Sequence, residues 1–462
     1  MDMIPGSLVL ALLLAIGWFL EAPLLFALFG SFAFGATAIA STGGSTIPVF
    51  MGMAGLVLLA TLLRRTTWRD LGIVLRSQPL AHLACIISIY AVCSAYLFPR
   101  FFEGQTTVVV PIDSDYSYLP LAPVSGNTNQ AVYFAMNGLM FLVICVRLRQ
   151  DGIARMRLAF MSWAAINASL GATDIAARLV GAGDVLAPIR TARYAILSEQ
   201  SVGGFFRVIG GFPEASAFAG AAVPALAFCL VDWQRTQSRF SLVVGAVLTL
   251  LLVFSTSSTA YAGLAALAAV YGLAATASIL GGRLSVHQIV LIMSMTAAFS
   301  IFLAVYIFDP HLVEPLTTMI ENATVNKVSS DSAIERGKWN VLSIGNFFDT
   351  YGLGVGIGST RSSSWALSVL GQLGVVGLLG FGTATLVFIF ALLKPQRNKL
   401  DALAASASAA ALASVVTASF GGSGSDPGMI FFLALAVVSA SLGTHRVAVR
   451  DRQRTAMNPI EA

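Results

Sequence analysis

Charge is what this sequence has least of. Asp, Glu, Lys and Arg make up 11% of its 462 residues, against 57% hydrophobic residues, where a soluble globular domain carries about 25% charged residues. So few charges could not cover the surface of a soluble fold this long, so most of the outer surface must face lipid. Histidine and cysteine are scarce too, at four each. Cys85, Cys93, Cys145 and Cys229 fall in apolar stretches at no metal-ligand spacing and read as small buried hydrophobes. Carboxylates do not cluster, so neither a metal nor a cofactor is expected. The net charge of +5 does not indicate nucleic acid, because no basic stripe interleaved with aromatics offers itself to a phosphate backbone. Also missing is any Lys or Arg before Arg64. A cleaved signal peptide needs a positive start, so residues 1–23 read as a retained helix whose first residues lie outside.

What the chain has instead is long apolar runs. In lipid every backbone donor and acceptor must be paired internally, which leaves helices or closed barrels. The runs approach the roughly 20 residues of a spanning helix rather than the alternating strands of about ten residues found in barrels. The sequence therefore predicts an all-α, polytopic integral membrane helical bundle, a single membrane domain over 1–462. About 12–13 transmembrane helices are expected, near 5–20, 22–41, 46–63, 79–98, 130–147, 158–180, 213–231, 240–254, 259–280, 288–308, 365–393, 402–419 and 428–444. Short basic loops alternate with them, carrying Arg64, Arg65, Arg69 and Arg76, then Arg147, Arg149, Arg155 and Arg157, then Arg235 and Arg239. Lys394, Arg397 and Lys399 follow, and the tail holds Arg446, Arg450, Arg452 and Arg454. The positive-inside bias puts these loops and the C-terminus in the cytoplasm. Three longer segments, 99–129, 181–212 and 309–364, then fall outside. They hold or adjoin nine cations: Arg100, Arg178, Arg190, Arg193, Arg207, Lys327, Arg336, Lys338 and Arg361.

Two outer stretches stand out. In GGFFRVIGGFPEASAF, residues 203–218, Arg207 sits in a glycine-rich approach to a helix opening with Pro213 and Glu214. Proline suits a first turn and Glu214 the positive end of the helix dipole; the same residues also fit a plain helix cap and an interfacial anchor. In SSDSAIERGKWN, residues 329–340, Ser332 and Glu335 form a capping-box pattern that would open a short amphipathic helix within the 309–364 loop. It would carry Arg336, Lys338 and Trp339 along the membrane surface, a pattern that snorkelling cations also produce. Gly352, Gly354, Gly356 and Gly358 follow, then Arg361 and a serine run. Alternating glycines permit close backbone approach to a ligand but match no standard phosphate loop.

The order of these pieces resembles the O-antigen ligase and polymerase superfamily, which includes Wzy-type exopolysaccharide polymerases. The matching residues are Arg207 with Gly210 and Gly211, Arg336 with Trp339, Gly354 through Gly358, and Gln372, Gly374 and Gly377. The resemblance covers roughly 200–380. It implies a multi-pass protein of the bacterial inner membrane that transfers a glycan from a polyprenyl diphosphate donor to a sugar hydroxyl. It further implies a chain-length regulator and a flippase of the same pathway as partners. Family ligases carry a histidine after the G-x-G segment, where this chain reads Arg361-Ser362-Ser363-Ser364-Trp365; that departure favours polymerase over ligase. The family also often has Pro-Asn where this chain has Pro213-Glu214.

The residue chemistry suits that reaction. Guanidinium forks bind phosphate oxygens bidentately and stay charged, so Arg207 and Arg336 are the expected catalytic cations; Glu214, Asp331, Glu335 and Asp349 are the outer-side candidates for the base, with Glu214 the choice among them. Arg361, Lys338, Trp339, Gly354, Gly356 and Gly358 are the expected substrate-binding set. The rival class is a transporter, for which intramembrane charges would be the sign. Only Asp174 and Arg178 look intramembrane, and their i,i+4 spacing predicts a structural pair.

Overall fold

The computed structural model describes residues 4–42, 45–112, 115–193, 196–197, 201–202, 205–281, 331–422 and 424–457, with isolated positions between 286 and 308. The protein is an all-α polytopic membrane protein, as its composition requires. The helices are α1 (Ile4–Phe19), α2 (Pro23–Ser31), α3 (Val49–Leu62), α4 (Thr67–Ser77), α5 (Pro79–Phe101), α6 (Ser125–Asp151) and α7 (Ile153–Leu179). Then come α8 (Ala215–Thr236), α9 (Arg239–Phe254), α10 (Ser258–Leu280), α11 (Asp331–Asp349), α12 (Trp365–Leu393), α13 (Lys399–Gly421) and α14 (Met429–Met457). Among the described residues six of them, α5, α6, α8, α10, α12 and α13, are long and apolar enough to cross a membrane. The α3–α4 pair, bent by 102°, makes a seventh if it is one span. Shorter apolar helices cover Pro5–Phe19, Arg239–Phe254 and Met429–Gly443. The span expected at 288–308 and residues 309–330 of the outer loop lie outside the described residues.

Several expectations are corrected. The helix expected at 22–41 is a nine-residue helix, α2, followed by a hairpin of β1 (Ala38–Thr42) and β2 (Ser45–Pro48). Two more hairpins form in segments read as plain loop: β3 (Thr107–Ile112) with β4 (Asp115–Pro120), and β5 (Ser201–Val202) with β6 (Phe205–Phe206). In each the paired strands are separated by two residues, Gly43-Gly44, Asp113-Ser114 and Gly203-Gly204. Such dipeptides between β-prone residues favour two-residue hairpin turns. The basic loop at 64–78 contains a helix, α4, with exposed Trp68 and buried Val74 on different faces. Helix α8 begins at Ala215 with Glu214 as its N-cap, so Pro213 lies outside it. Helix α11 runs 19 residues, longer than the short helix expected.

At the centre lies α13, packed by α8, α10, α12 and α14. Its sequence from Ala402 to Ala413 is alanine and serine with single leucines at Leu403 and Leu412, and nearly all of it is buried. Lipid tails are as apolar as leucine, so helices in a bilayer associate by close packing, which small residues allow.

The bundle has two chemically different ends. At one, a string of contacts ties the basic loops together. Arg155 pairs with Glu21 at 3.4 Å, Arg64 with Asp151 at 3.3 Å, and Arg157 with Asp232 at 2.6 Å. Arg235 Nη2 donates to the Leu392 carbonyl, Lys394 pairs with Asp401, and Ser441 donates to the same carboxylate. The opposite end collects the hairpins, the start of α8 and the 350–364 segment.

Candidate functional site

Arg207 is positioned from beneath by a buried ionic knot. Asp174, in the penultimate turn of α7, and Arg190 both have side chains only 1% exposed. Asp174 Oδ1 accepts from Arg190 Nη2 at 3.1 Å and Arg178 Nε at 3.2 Å. Its Oδ2 accepts from the backbone N–H groups of Ile209 and Gly210 at 2.9 and 3.0 Å. Arg190 also donates to the Gly210 carbonyl and, through Nη1, to both oxygens of Asp184 at 2.6 Å. Arg178 lies 5.3 Å over the Phe206 ring. The carboxylate thus fixes Ile209 and Gly210, two and three residues past Arg207, and Arg178 stacks on Phe206, the residue before it. The i,i+4 pair expected from sequence is present, yet it is one arm of a larger knot whose centre includes Arg190.

The Arg207 guanidinium is half-buried. Burial pulls its pKa down from the usual arginine value, while the nearby Glu214 and Tyr261 draw it back up. Glu214 accepts a hydrogen bond from Ser216 Oγ in the first turn of α8. Tyr261 belongs to the first turn of α10, its N–H donating to the Ser257 carbonyl at 3.0 Å. That turn holds residues the sequence reading passed over. Thr256 sits at φ +50°, a left-handed conformation that is an outlier for a β-branched residue and costs about 1–3 kcal/mol. Thr256 is 3% and Ser257 1% exposed, and neither hydroxyl has a hydrogen-bond partner among the described residues. These buried hydroxyls lie at the N-terminus of α10, where backbone N–H groups carry partial positive charge. The available signal was the run Ser255-Thr256-Ser257-Ser258-Thr259 between two apolar helices.

The other expected residues gather around a second feature at the same end. Arg361 Nη1 donates to the Tyr116 hydroxyl at 2.8 Å, with its Cζ 5.3 Å from that ring. Trp339 meets Tyr116 edge-on at 4.6 Å and is 7% exposed. It is therefore packed inside, contrary to the surface placement expected for it. Arg336 is half-buried on α11 and Lys338 is exposed. Asn340, one turn beyond Arg336, accepts from Ser362 Oγ and the Ser363 N–H, which fastens the serine run to α11. Arg361, Gly358 and Thr360 line a cavity of about 350 Å³ with the first turns of α6. The structure thus joins Arg207 with Glu214, and Arg361 with Trp339 through Tyr116. The two sets are carried by different elements.

The alternating glycines pack closely against three helices of the same chain. Gly354, Gly356 and Gly358 all have φ between +78° and +86°, which an L side chain rarely adopts. A Cβ on Gly354 would lie 2.6 Å from the Gln372 backbone, and one on Gly126 would lie 2.6 Å from the Gly358 carbonyl. Their N–H groups donate to Thr350 Oγ1, the Gln372 carbonyl and Gln372 Oε1. The three N–H groups are thus engaged within the chain, while Gly358 also lines the cavity. The close approaches of the segment are to α5, α6 and α12.

Asp426, between α13 and α14, was also passed over. Both its oxygens accept from Asn137 Nδ2 at 3.0 Å, and one accepts from the Gly428 N–H. Burial pushes its carboxyl up to about 6, with the hydrogen bonds pulling the other way. The unfolded value is about 3.9, so the folded protein binds this proton more tightly, and the stability associated with it falls as pH rises from about 4 through about 6. Thermal unfolding in detergent should therefore show a Tm that declines between pH 5 and 7.5, and Asp426→Asn should flatten that decline. An unchanged slope in the variant would rule this out. A comparison with protein-family models and with curated proteins finds no match.

Proposed function

We propose that this chain is a metal-independent glycosyltransferase of the bacterial inner membrane, polymerising polyprenyl-diphosphate-linked oligosaccharide repeats at the extracytoplasmic face. The observation that carries the reading is the site around Arg207. A half-buried guanidinium lies near the Glu214 carboxylate and Tyr261 at the end of the bundle opposite the basic loops. In this reading those loops and the C-terminus are cytoplasmic and the N-terminus lies outside. The chain crosses about 12–13 times, α7 and the shorter apolar helices included, and 309–364 forms a large outer loop.

In the reaction the acceptor hydroxyl oxygen attacks the anomeric carbon of the lipid-linked glycan. The bond from that carbon to the diphosphate breaks, and the polyprenyl diphosphate leaves with the electron pair. Arg207, with Arg336 as a second cation, stabilises the charge that develops on the leaving oxygens, while Glu214 takes the acceptor proton. Guanidinium stays protonated through the cycle, so it stabilises charge without exchanging protons. A flippase would supply the donor, and a chain-length regulator would act on the product. Deleting the gene should make single lipid-linked repeats accumulate while polymer disappears, as read by mass spectrometry of extracted lipid-linked glycans. Accumulation of finished lipid-linked polymer would instead mean a ligase and overturn the proposal.

A further inference from the structure

A slot on the flank of the bundle has no part in the proposed transfer. It holds about 260 Å³ between α8, α10, α13 and the end of α12. Its lining runs from Val223 to Arg235 on α8 and from Gly263 to Ala274 on α10. At 1.5 Å per residue that is a length of about 16–18 Å, close to the roughly 15 Å of hydrocarbon in one leaflet. Only 11% of the apolar window of α10 is buried inside the bundle, so the slot opens sideways to lipid. Apart from Gln234, Arg235 and Tyr271, every lining residue is aliphatic or glycine.

Those three polar residues mark one end. Gln234 and Arg235 belong to the last turn of α8, and Tyr271 lies close enough to Arg235 to feel its charge. This is the end of the bundle that carries the basic loops. Arg235 is half-buried and is the one charged residue in the lining. Its Nη2 donates to the Leu392 carbonyl in the last turn of α12, a neutral partner that leaves the charge unbalanced. The carboxylate one turn earlier on α8, Asp232, accepts from Arg157 through both oxygens and from Ser241. Among the described residues no carboxylate pairs with Arg235.

A slot one leaflet long, apolar along its length and ending on an unbalanced cation, matches one acyl chain beneath an anionic head group. The choline of a zwitterionic lipid would set a second positive charge beside Arg235. The polyprenyl diphosphate of the proposed transfer has its head group at Arg207, at the opposite end of the bundle. We infer that this slot is a binding site for an anionic phospholipid, with one acyl chain between α8, α10 and α13 and the head-group phosphate on Arg235. The inference stands apart from the polymerase reading.

The test is native mass spectrometry of full-length protein released from micelles with equal amounts of phosphatidylglycerol and phosphatidylcholine of the same acyl chains. Wild type should retain phosphatidylglycerol about fivefold over phosphatidylcholine, the worth of one cation near an anionic head group. Arg235→Gln should retain the two lipids equally, and glutamine can still donate to the Leu392 carbonyl. Ala266→Phe fills the slot with a ring while keeping Arg235. It should lose the retained lipid of both kinds, which keeps the test decisive if the arginine variant unfolds. Arg239→Gln, exposed at the start of α9 and outside the lining, should keep the full preference. Equal retention by wild type, a preference that survives Arg235→Gln or Ala266→Phe, or an equal loss from Arg239→Gln would each overturn the inference. Displacement of phosphatidylglycerol by farnesyl diphosphate at equal concentration would assign the slot to an isoprenoid chain and overturn it too.

Discussion

Arg207→Lys should nearly abolish polymer formation while the protein inserts and folds as before. Lysine keeps the charge but replaces a planar two-pronged donor with a point charge that cannot reach two oxygens in one plane. Loss of one preorganised donor to a developing oxyanion costs about 10²–10³ in rate. The site is half-buried, so water replaces the lost contact only in part. Arg336→Lys should behave similarly if α11 brings its guanidinium to the same leaving group. The double variant should then be little worse than either single one, as for groups that act as a unit. Arg100, exposed at the end of α5, is the control and should tolerate lysine. Polymer at wild-type length and yield from both Arg207→Lys and Arg336→Lys cells would remove the case for this site.

Asp174→Ala should have the largest effect on stability. The substitution leaves the Arg190 guanidinium buried beside lost charge and strips the Ile209 and Gly210 N–H groups of their acceptor. Removing one partner from a buried ion pair costs about 3–5 kcal/mol, enough to lower expression and Tm together. Arg178→Ala should be milder, because Arg190 and both backbone donors still hold Asp174. Replacing Asp174 and Arg178 together with apolar residues would not relieve the damage, since Arg190 would keep only Asp184 as an ionic partner and the Ile209 and Gly210 N–H groups would still lack their acceptor. Replacing Asp174 and Arg190 together should recover part of the loss. A Tm for Asp174→Ala within a degree of wild type would mean that the knot does not anchor the Arg207 segment.

The sequence by itself determined the class and the spacing of the long helices. Low charge and long apolar runs leave only helices in lipid, and the apolar run over 365–393 accounts for the length of α12, whose backbone kinks at Gly374. It also determined which loops are basic, because charge placement is local. The site was legible only in part. Arg207 beside Glu214 was visible because both flank one helix start, and the Asp174–Arg178 pair because i,i+4 neighbours meet on any helix.

What only the tertiary structure decided depends on partners far apart in the chain. Asp174 is a hub because Arg190, in the loop beyond the end of α7, folds back onto it together with Ile209 and Gly210. Arg361 faces Tyr116 across 245 residues. Spacing carries no record of that meeting. The glycines at 354, 356 and 358 looked like a ligand cradle because glycine signals a close approach without saying to what. Only packing reveals that the neighbour is the protein's own backbone. The hairpins were missed for a related reason: short strands between membrane helices have no periodic run to announce them, and they form because the helix ends hold their termini together.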